Sequence, residues 1–451
     1  MTLSFSRIAC ALVAVCCIAS PLWAQQTGRP DRPYRGLFGG GAAEWEQSLA
    51  ASASLGVGLD NNILAVSGVA SDLQDLQLAG ANGRSQIQRY GYMSAGLSYS
   101  LSKTRVGFGA SLGTSGQYVP SLASPYVSSH SGGLGVSVQL SRRSRLSANH
   151  SVSLQPYNVL VLGLPLGEPV LGQFALIEPT FGISRQDHIS QVSDVGFSRQ
   201  IGRRASLGLS YGRMRTGAST SFGGSALTSQ MGSGRFSMGL TKGLGAHFGY
   251  AYTEGRMPGE PSPVVGHNID AGLDFTRTLG LSISRRTRVS FNTGSGVLRD
   301  RQQTYFRLTG SAVLTHEIAR SWAASLSYNR GMGFVERFRQ PFFTDSVMLG
   351  LDGLIARRLN FRSAAGAVSG DVGLASNANT FASYFGSTGL TMGLTRSLAI
   401  GTDYNYYRYG FAQAEGLPTG IARQMGRHSA RVYLSVWVPI LQRGRRTDAS
   451  R

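Results

Sequence analysis

A chain of 451 residues could hold two or three ordinary domains, but 60 glycines and only 15% charged residues do not describe an ordinary soluble enzyme. The formal net charge is +20 and mean hydropathy is close to zero. The glycines keep no triplet period, which excludes collagen, and no basic stripe is interleaved with aromatics, which argues against nucleic acid as a partner.

The chain opens with "MTLSFSRIACALVAVCCIASPLWAQQ". Arg7 supplies a short charged region, Ile8 to Ile18 an apolar core, and Ala24 a plausible cleavage point after Pro21. The apolar core is too short to span a bilayer, so residues 1–24 are expected to be a cleaved secretory signal. A lipoprotein site needs a small residue before the cysteine, but Val15 precedes Cys16 and Cys16 precedes Cys17. With Cys10 these are all the cysteines, so the mature chain is expected to have no disulfide framework and no thiolate chemistry. A linker rich in Pro, Arg and Gly follows, placed at 25–45 and read as periplasmic.

From there alternation of period two sets in. Met93, Ala95, Leu97, Tyr99 and Leu101 alternate with Ser94, Gly96, Ser98, Ser100 and Ser102; after a tight "SKT", Val106, Phe108, Ala110 and Leu112 do the same. The unit recurs in "GLGVSVQLSRRSRLSANHSVSL", "VGFSRQIGRRASLGLSYG" and "RFSMGLTKGLGAHFGYAY". In "IDAGLDFTRTLGLSISRR" the pattern from Ile269 to Ile283 predicts one strand of about sixteen residues, where globular strands have about five or six. Three more units follow, "FRLTGSAVLTHEIARSWAASLSYN", "VMLGLDGLIARRLNFRSAAG" and "GLTMGLTRSLAIGTDYNYY". Adding a strand near Leu49 to Asp60 and a last one in "ARVYLSVWVPIL" brings the expected number to about eighteen (16–18), in a domain spanning 46–441 with a basic tail at 442–451.

Short basic turns alternate with longer segments, expected to run about ten to thirty-five residues, and that asymmetry is the plan of an outer-membrane barrel with short periplasmic turns and long extracellular loops. A sheet can cross a bilayer only by closing, because lipid offers no partner for an open edge. Strands of about sixteen residues at roughly 3.3 Å each, tilted about 40°, reach roughly 40 Å along the membrane normal. A solvated β-sandwich would put Lys and Glu on its polar face, whereas this face holds mostly Gly, Ser and Thr. The fold class expected is all-β, a transmembrane antiparallel β-barrel.

The "DAGLDFTRTLGLSISRRTRVSF" hairpin ending in "TGSG", with the "SRRSRLS" and "GRRASLGLSY" turns, resembles the beta-barrel porin-2 family of Gram-negative outer membranes. The resemblance covers most of the mature chain and implies a barrel with a pore-like role; it is also similar to barrels that serve as outer-membrane conduits for exported polysaccharide, which would bring periplasmic export machinery as a partner. It implies no catalytic residues and no cofactor.

Lys103, Arg142, Arg143, Arg203, Arg204, Lys242, Arg285, Arg286, Arg357, Arg358 and Arg396 are placed at the short turns. There they either meet the anionic headgroups of outer-membrane lipids, phospholipid or lipopolysaccharide, or form a positive funnel that draws anions in. By strand parity Arg307, Arg362 and Arg431 face the lumen, with Asp270, Asp274, Asp352 and Asp403 as counter-charges. Arg199 and Arg277 fall on the outward pattern but close to turns, where they can snorkel.

The loop from Tyr157 to His188 is the longest and most apolar. In classical porins the loop at that ordinal position narrows the lumen, an analogy only; here constriction, docking on a partner or lipid, and additional strand length are all open. His150 and His247 lie on strands with no motif placing a serine and an acid around either, and no spacing suits a metal. The function expected is non-enzymatic: a passive pore or export conduit for anionic or glycan-like solutes. The alternative is a structural or adhesive surface protein with an occluded lumen.

Overall fold

The computed structural model describes residues 45–62, 87–120, 125–158, 182–218, 226–241, 244–257, 262–275, 287–300, 303–318, 321–333, 342–373, 379–413, 417 and 423–445. The expected signal segment, the linker up to residue 44, Arg277, Lys242, Arg285, Arg286 and the tail from 446 lie outside them.

Eighteen strands follow one another: β1 (Trp45–Asp60), β2 (Gln88–Ser102), β3 (Val106–Tyr118), β4 (Tyr126–Ser141), β5 (Ser144–Asn158), β6 (Gly182–Gln200), β7 (Ala205–Ala218), β8 (Leu227–Gly239) and β9 (Leu244–Arg256), then β10 (Val264–Phe275), β11 (Thr287–Asp300), β12 (Gln303–Ile318), β13 (Trp322–Gly333), β14 (Phe342–Ala356), β15 (Leu359–Val372), β16 (Asn379–Gly393), β17 (Leu398–Phe411) and β18 (Gln424–Arg445). Each pairs antiparallel with its sequence neighbours, and β1 pairs with both β2 and β18, so the sheet closes on itself. The protein is a closed 18-stranded antiparallel β-barrel. Closure gives every strand a partner strand on each side.

Local alternation decides which face each side chain takes, and register carries that choice around the ring. Leu55 and Val57 are 69% and 67% exposed on the outside, and by register the outward set continues through Met93 and Leu97, Leu112, Leu134 and Leu209. This inverts a soluble protein, where such side chains pack inside. On the inner face serine hydroxyls meet across strands: Ser48 with Ser100 at 2.7 Å, Ser54 with Ser435 at 2.8 Å, Ser115 with Ser129 at 2.7 Å, and Ser210 with Ser233 at 2.6 Å. These pairs satisfy polar groups within the wall itself.

Strands outrun the apolar alternation. Asp300 pairs with Gln303, leaving two residues between β11 and β12 where a loop of ten or more was expected. Pairing needs only backbone N–H and C=O groups, so polar sequence continues a ladder beyond the apolar band. For the same reason β18 runs to Arg445, opposite Trp45, past the expected domain limit at residue 441. The strand carrying Ile269 starts earlier than its alternation, at Val264, and ends at Phe275; residues 276–286 lie outside the described set. In the segment 157–188, residues 157–158 extend β5 and 182–188 belong to β6, with Asn158 opposite Gly182. Strand length thus accounts for both ends of that segment, and residues 159–181 lie outside the described set.

Candidate functional site

The inner wall carries one row of residues that face each other across successive strands. Asp352 on β14 is opposite Arg362 on β15, Arg362 opposite Gly389, Gly389 opposite Asp403, and Asp403 opposite Arg431 on β18. Arg431 is in turn opposite Gly58 on β1, and Gly58 opposite Tyr90 on β2. In a barrel whose strands tilt, such a hydrogen-bonding row climbs around the wall rather than circling it at one depth.

Charge alternates along this row and is compensated. Arg431 donates from Nε to Asp403 Oδ2 at 2.9 Å, with Nη2 at 2.9 Å from the same oxygen. Arg362 Nε lies 3.4 Å from Asp352 Oδ1, a longer and more open contact. Gly389 makes room between the pairs, since a Cβ there would lie 2.5 Å from Asp403 Oδ1. The Arg431 guanidinium also sits over the rings of Tyr92 and Tyr433, at 5.1 and 5.4 Å, where the aromatic face favours a cation.

Near the other end of the barrel, where the longer connections lie, a tighter pair joins the first strand to the last. Arg427 donates to Asp60 Oδ2 from Nη2 at 2.6 Å and from Nε at 2.8 Å, both side chains being buried. Tyr90 packs beside them, its hydroxyl 3.3 Å from Ser429 Oγ, and a Cβ on Gly58 would fall inside its ring. Asp60, Arg427 and the tyrosines are absent from the sequence-based set. Their signal was present: Asp60 continues the inward parity of Gly56 and Gly58, and Arg427 that of Arg431.

The remaining predicted residues distribute as follows. Arg307 is opposite Gly296 on an inward register position, between outward Phe306 and Leu308. It lies beyond the stretch where β12 pairs with β13, which begins at Gly310 opposite Arg330, and its guanidinium rests over the Phe343 ring at 5.3 Å. Arg330 approaches the same ring at 5.2 Å. Asp270 and Asp274 hold inward register positions on β10, opposite Gly249 and Gly245; their side chains lie outside the described set. Lys103, Arg142, Arg143, Arg203, Arg204, Arg357, Arg358 and Arg396 all occupy exposed positions in the short turns, and exposed Arg199 closes β6 beside one of them.

An apolar cluster also faces inward. Phe342, Val368, Val372, Phe381, Tyr409 and Phe411 are buried against one another on β14–β17, and Leu417, from the connection between β17 and β18, packs onto them. This part of the inner wall is covered.

The fold brings a serine from the neighbouring strand to His150: its Nδ1 is 2.8 Å from Ser193 Oγ across β5 and β6. Both are on the outward face, and among the described residues no hydrogen bond joins a carboxylate to His150. Nor do three His, Cys, Asp or Glu side chains converge anywhere among the described residues.

No family model and no curated protein matches this sequence. Solved structures align with most of its length. Pseudomonas aeruginosa OccK2 (OpdF), determined in complex with glucuronate, is 10% identical with a TM-score of 0.44, over 88% of this chain and 99% of that one. Pseudomonas aeruginosa OpdQ is 11% identical with a TM-score of 0.43, over 88% of this chain and 100% of that one. Acinetobacter baumannii OccAB4 is 11% identical with a TM-score of 0.42, over 91% and 100%.

Proposed function

We propose that the protein is a porin-like channel of a Gram-negative outer membrane, a passive pore or export conduit for anionic or glycan-like solutes, of the beta-barrel porin-2 type. The observation that carries this reading is the closed ring itself, apolar side chains exposed outside and serines, glycines and paired charges inside. A soluble protein that exposed such a band would aggregate; in a bilayer the same band is the favourable face. The inner row supports the solute class. Paired guanidinium and carboxylate groups beside tyrosine faces offer hydrogen bonds and flat apolar surface together, which suits sugars, while arginine supplies the fixed positive charge that anions need. Exopolysaccharide is one solute consistent with it, and periplasmic export machinery would then be its partner.

Planar-bilayer recording of the full-length protein tests the reading. A steady open conductance supports the channel. Silence from a correctly folded barrel supports the alternative, an adhesive or structural surface protein with an occluded lumen, which the inward apolar cluster around Phe381 favours.

A further inference from the structure

A dense basic feature lies outside the lumen, at the turn end of the barrel. The turn between β4 and β5 and its flanks read Ser141-Arg142-Arg143-Ser144-Arg145, and the end of β6 with its connection to β7, from Arg199 to Arg204, carries Arg199, Arg203 and Arg204. Neither segment contains a carboxylate. Because Ser144 is opposite Arg199, the two turns lie side by side, and the Gln200 N–H donates to the Arg143 carbonyl at 2.7 Å.

Between them is a cleft of about 550 Å³. Arg142, Arg143 and Arg199 line it together with Ser141 and Ser144, while Ile201 and Leu207 supply apolar lining. Leu207 is opposite Arg199 and shares the outward face with Phe197, so the apolar lining runs into the outer band. Inner-wall arginines 362, 427 and 431 each meet an aspartate; Arg142, Arg143 and Arg199 instead line one cleft that has no acid among its lining residues. Like charges lining one cleft repel, and an anion placed among them relieves the repulsion. Guanidinium groups match the oxygens of a phosphate in fork geometry, and serine hydroxyls complete its donors.

We propose that this cleft binds the phosphate headgroup of an anionic glycerophospholipid, with the first part of its acyl chains against Ile201 and Leu207. The inference rests on the reading of the chain as a membrane barrel. It differs from a diffuse basic rim in requiring one retained lipid at one place.

Native mass spectrometry of the full-length protein in neutral detergent, titrated with phosphatidylglycerol, tests it. One phosphatidylglycerol should be retained per barrel, more tightly than phosphatidylcholine. Arg142→Gln with Arg143→Gln and Arg199→Gln should weaken retention by about tenfold or more, the loss of at least one charge-assisted contact. Arg357→Gln with Arg358→Gln, at another turn, should leave it unchanged. Equal weakening by both sets would mean a diffuse rim and overturn the proposal. Equal retention of phosphatidylcholine would do the same, and so would inorganic phosphate binding as tightly as the lipid, which would make this a site for the free ion. These ligand comparisons use the unmodified protein and stand even if the triple variant fails to fold. Failure of the protein to float with lipid vesicles would instead overturn the membrane reading beneath it.

Discussion

Asp60 and Arg427 close the barrel: 367 positions apart, they meet through two hydrogen bonds to one carboxylate oxygen, with side chains 0% and 5% exposed. A buried charge stripped of its partner typically destabilises by about 3–5 kcal/mol, whereas replacing both partners by apolar groups is often close to neutral. Asp60→Ala should therefore lower barrel stability by that order. Asp60→Leu combined with Arg427→Met should recover most of the loss. Urea unfolding in lipid vesicles, read by heat-modifiable gel mobility, measures both. If the single and double variants were equally damaged, the pair would be acting through packing and not charge.

Outward and inward positions should respond oppositely to charge. Leu112 is outward near the middle of β3, and its neighbour Ser111 is inward. Leu112→Arg should cost about 2–4 kcal/mol by placing a cation among lipid tails, and Ser111→Arg should cost less because it faces the interior. Folding yield into vesicles checks the order. The reverse order would mean that the faces are exchanged.

The charged row should govern ion preference in a conducting protein. Asp352→Asn with Asp403→Asn releases Arg362 and Arg431 from their partners and should move the reversal potential toward anions. Arg362→Gln with Arg431→Gln should move it toward cations. Both shifts should grow at low salt, because the Debye length lengthens from about 10 Å at 0.1 M to about 30 Å at 0.01 M. Reversal potentials indifferent to both double variants would place the row off the conduction path.

Gly58 should tolerate no side chain, because a Cβ there would overlap the Tyr90 ring that packs beside the Asp60–Arg427 pair. Gly58→Ala should cost about 1–3 kcal/mol, as overpacking does. A Cβ at Gly386 would meet nothing within 4 Å, so Gly386→Ala serves as the neutral control in the same unfolding assay. Equal stabilities would show that Tyr90 moves aside without cost.

Strand number, strand faces and the turn positions of the described cations, such as Arg142 and Arg358, were legible in the linear chain. Period-two alternation is a local property: Met93, Leu97 and Leu112 declare the outer face and Ser94 and Ser111 the inner one without reference to any other strand. The same parity put Arg362 and Arg431 inside with Asp352 and Asp403. Strand ends were less legible, because backbone pairing persists into sequence with no apolar signature, as at Asp300 and Gln303.

Which residues meet was another matter. Parity assigns a face, but register and closure assign neighbours, and these depend on every strand between. Thus the sequence by itself determined a barrel wall, its two faces and the inward charges. Only the tertiary structure decided that Arg362 meets Asp352 and Arg431 meets Asp403, that Arg427 locks the last strand to Asp60 on the first, and that Arg199 joins Arg142 and Arg143 around one cleft. The physical reason is that alternation is written in adjacent residues, whereas a partner across the sheet is fixed by hydrogen-bond register that exists only once the ring has closed.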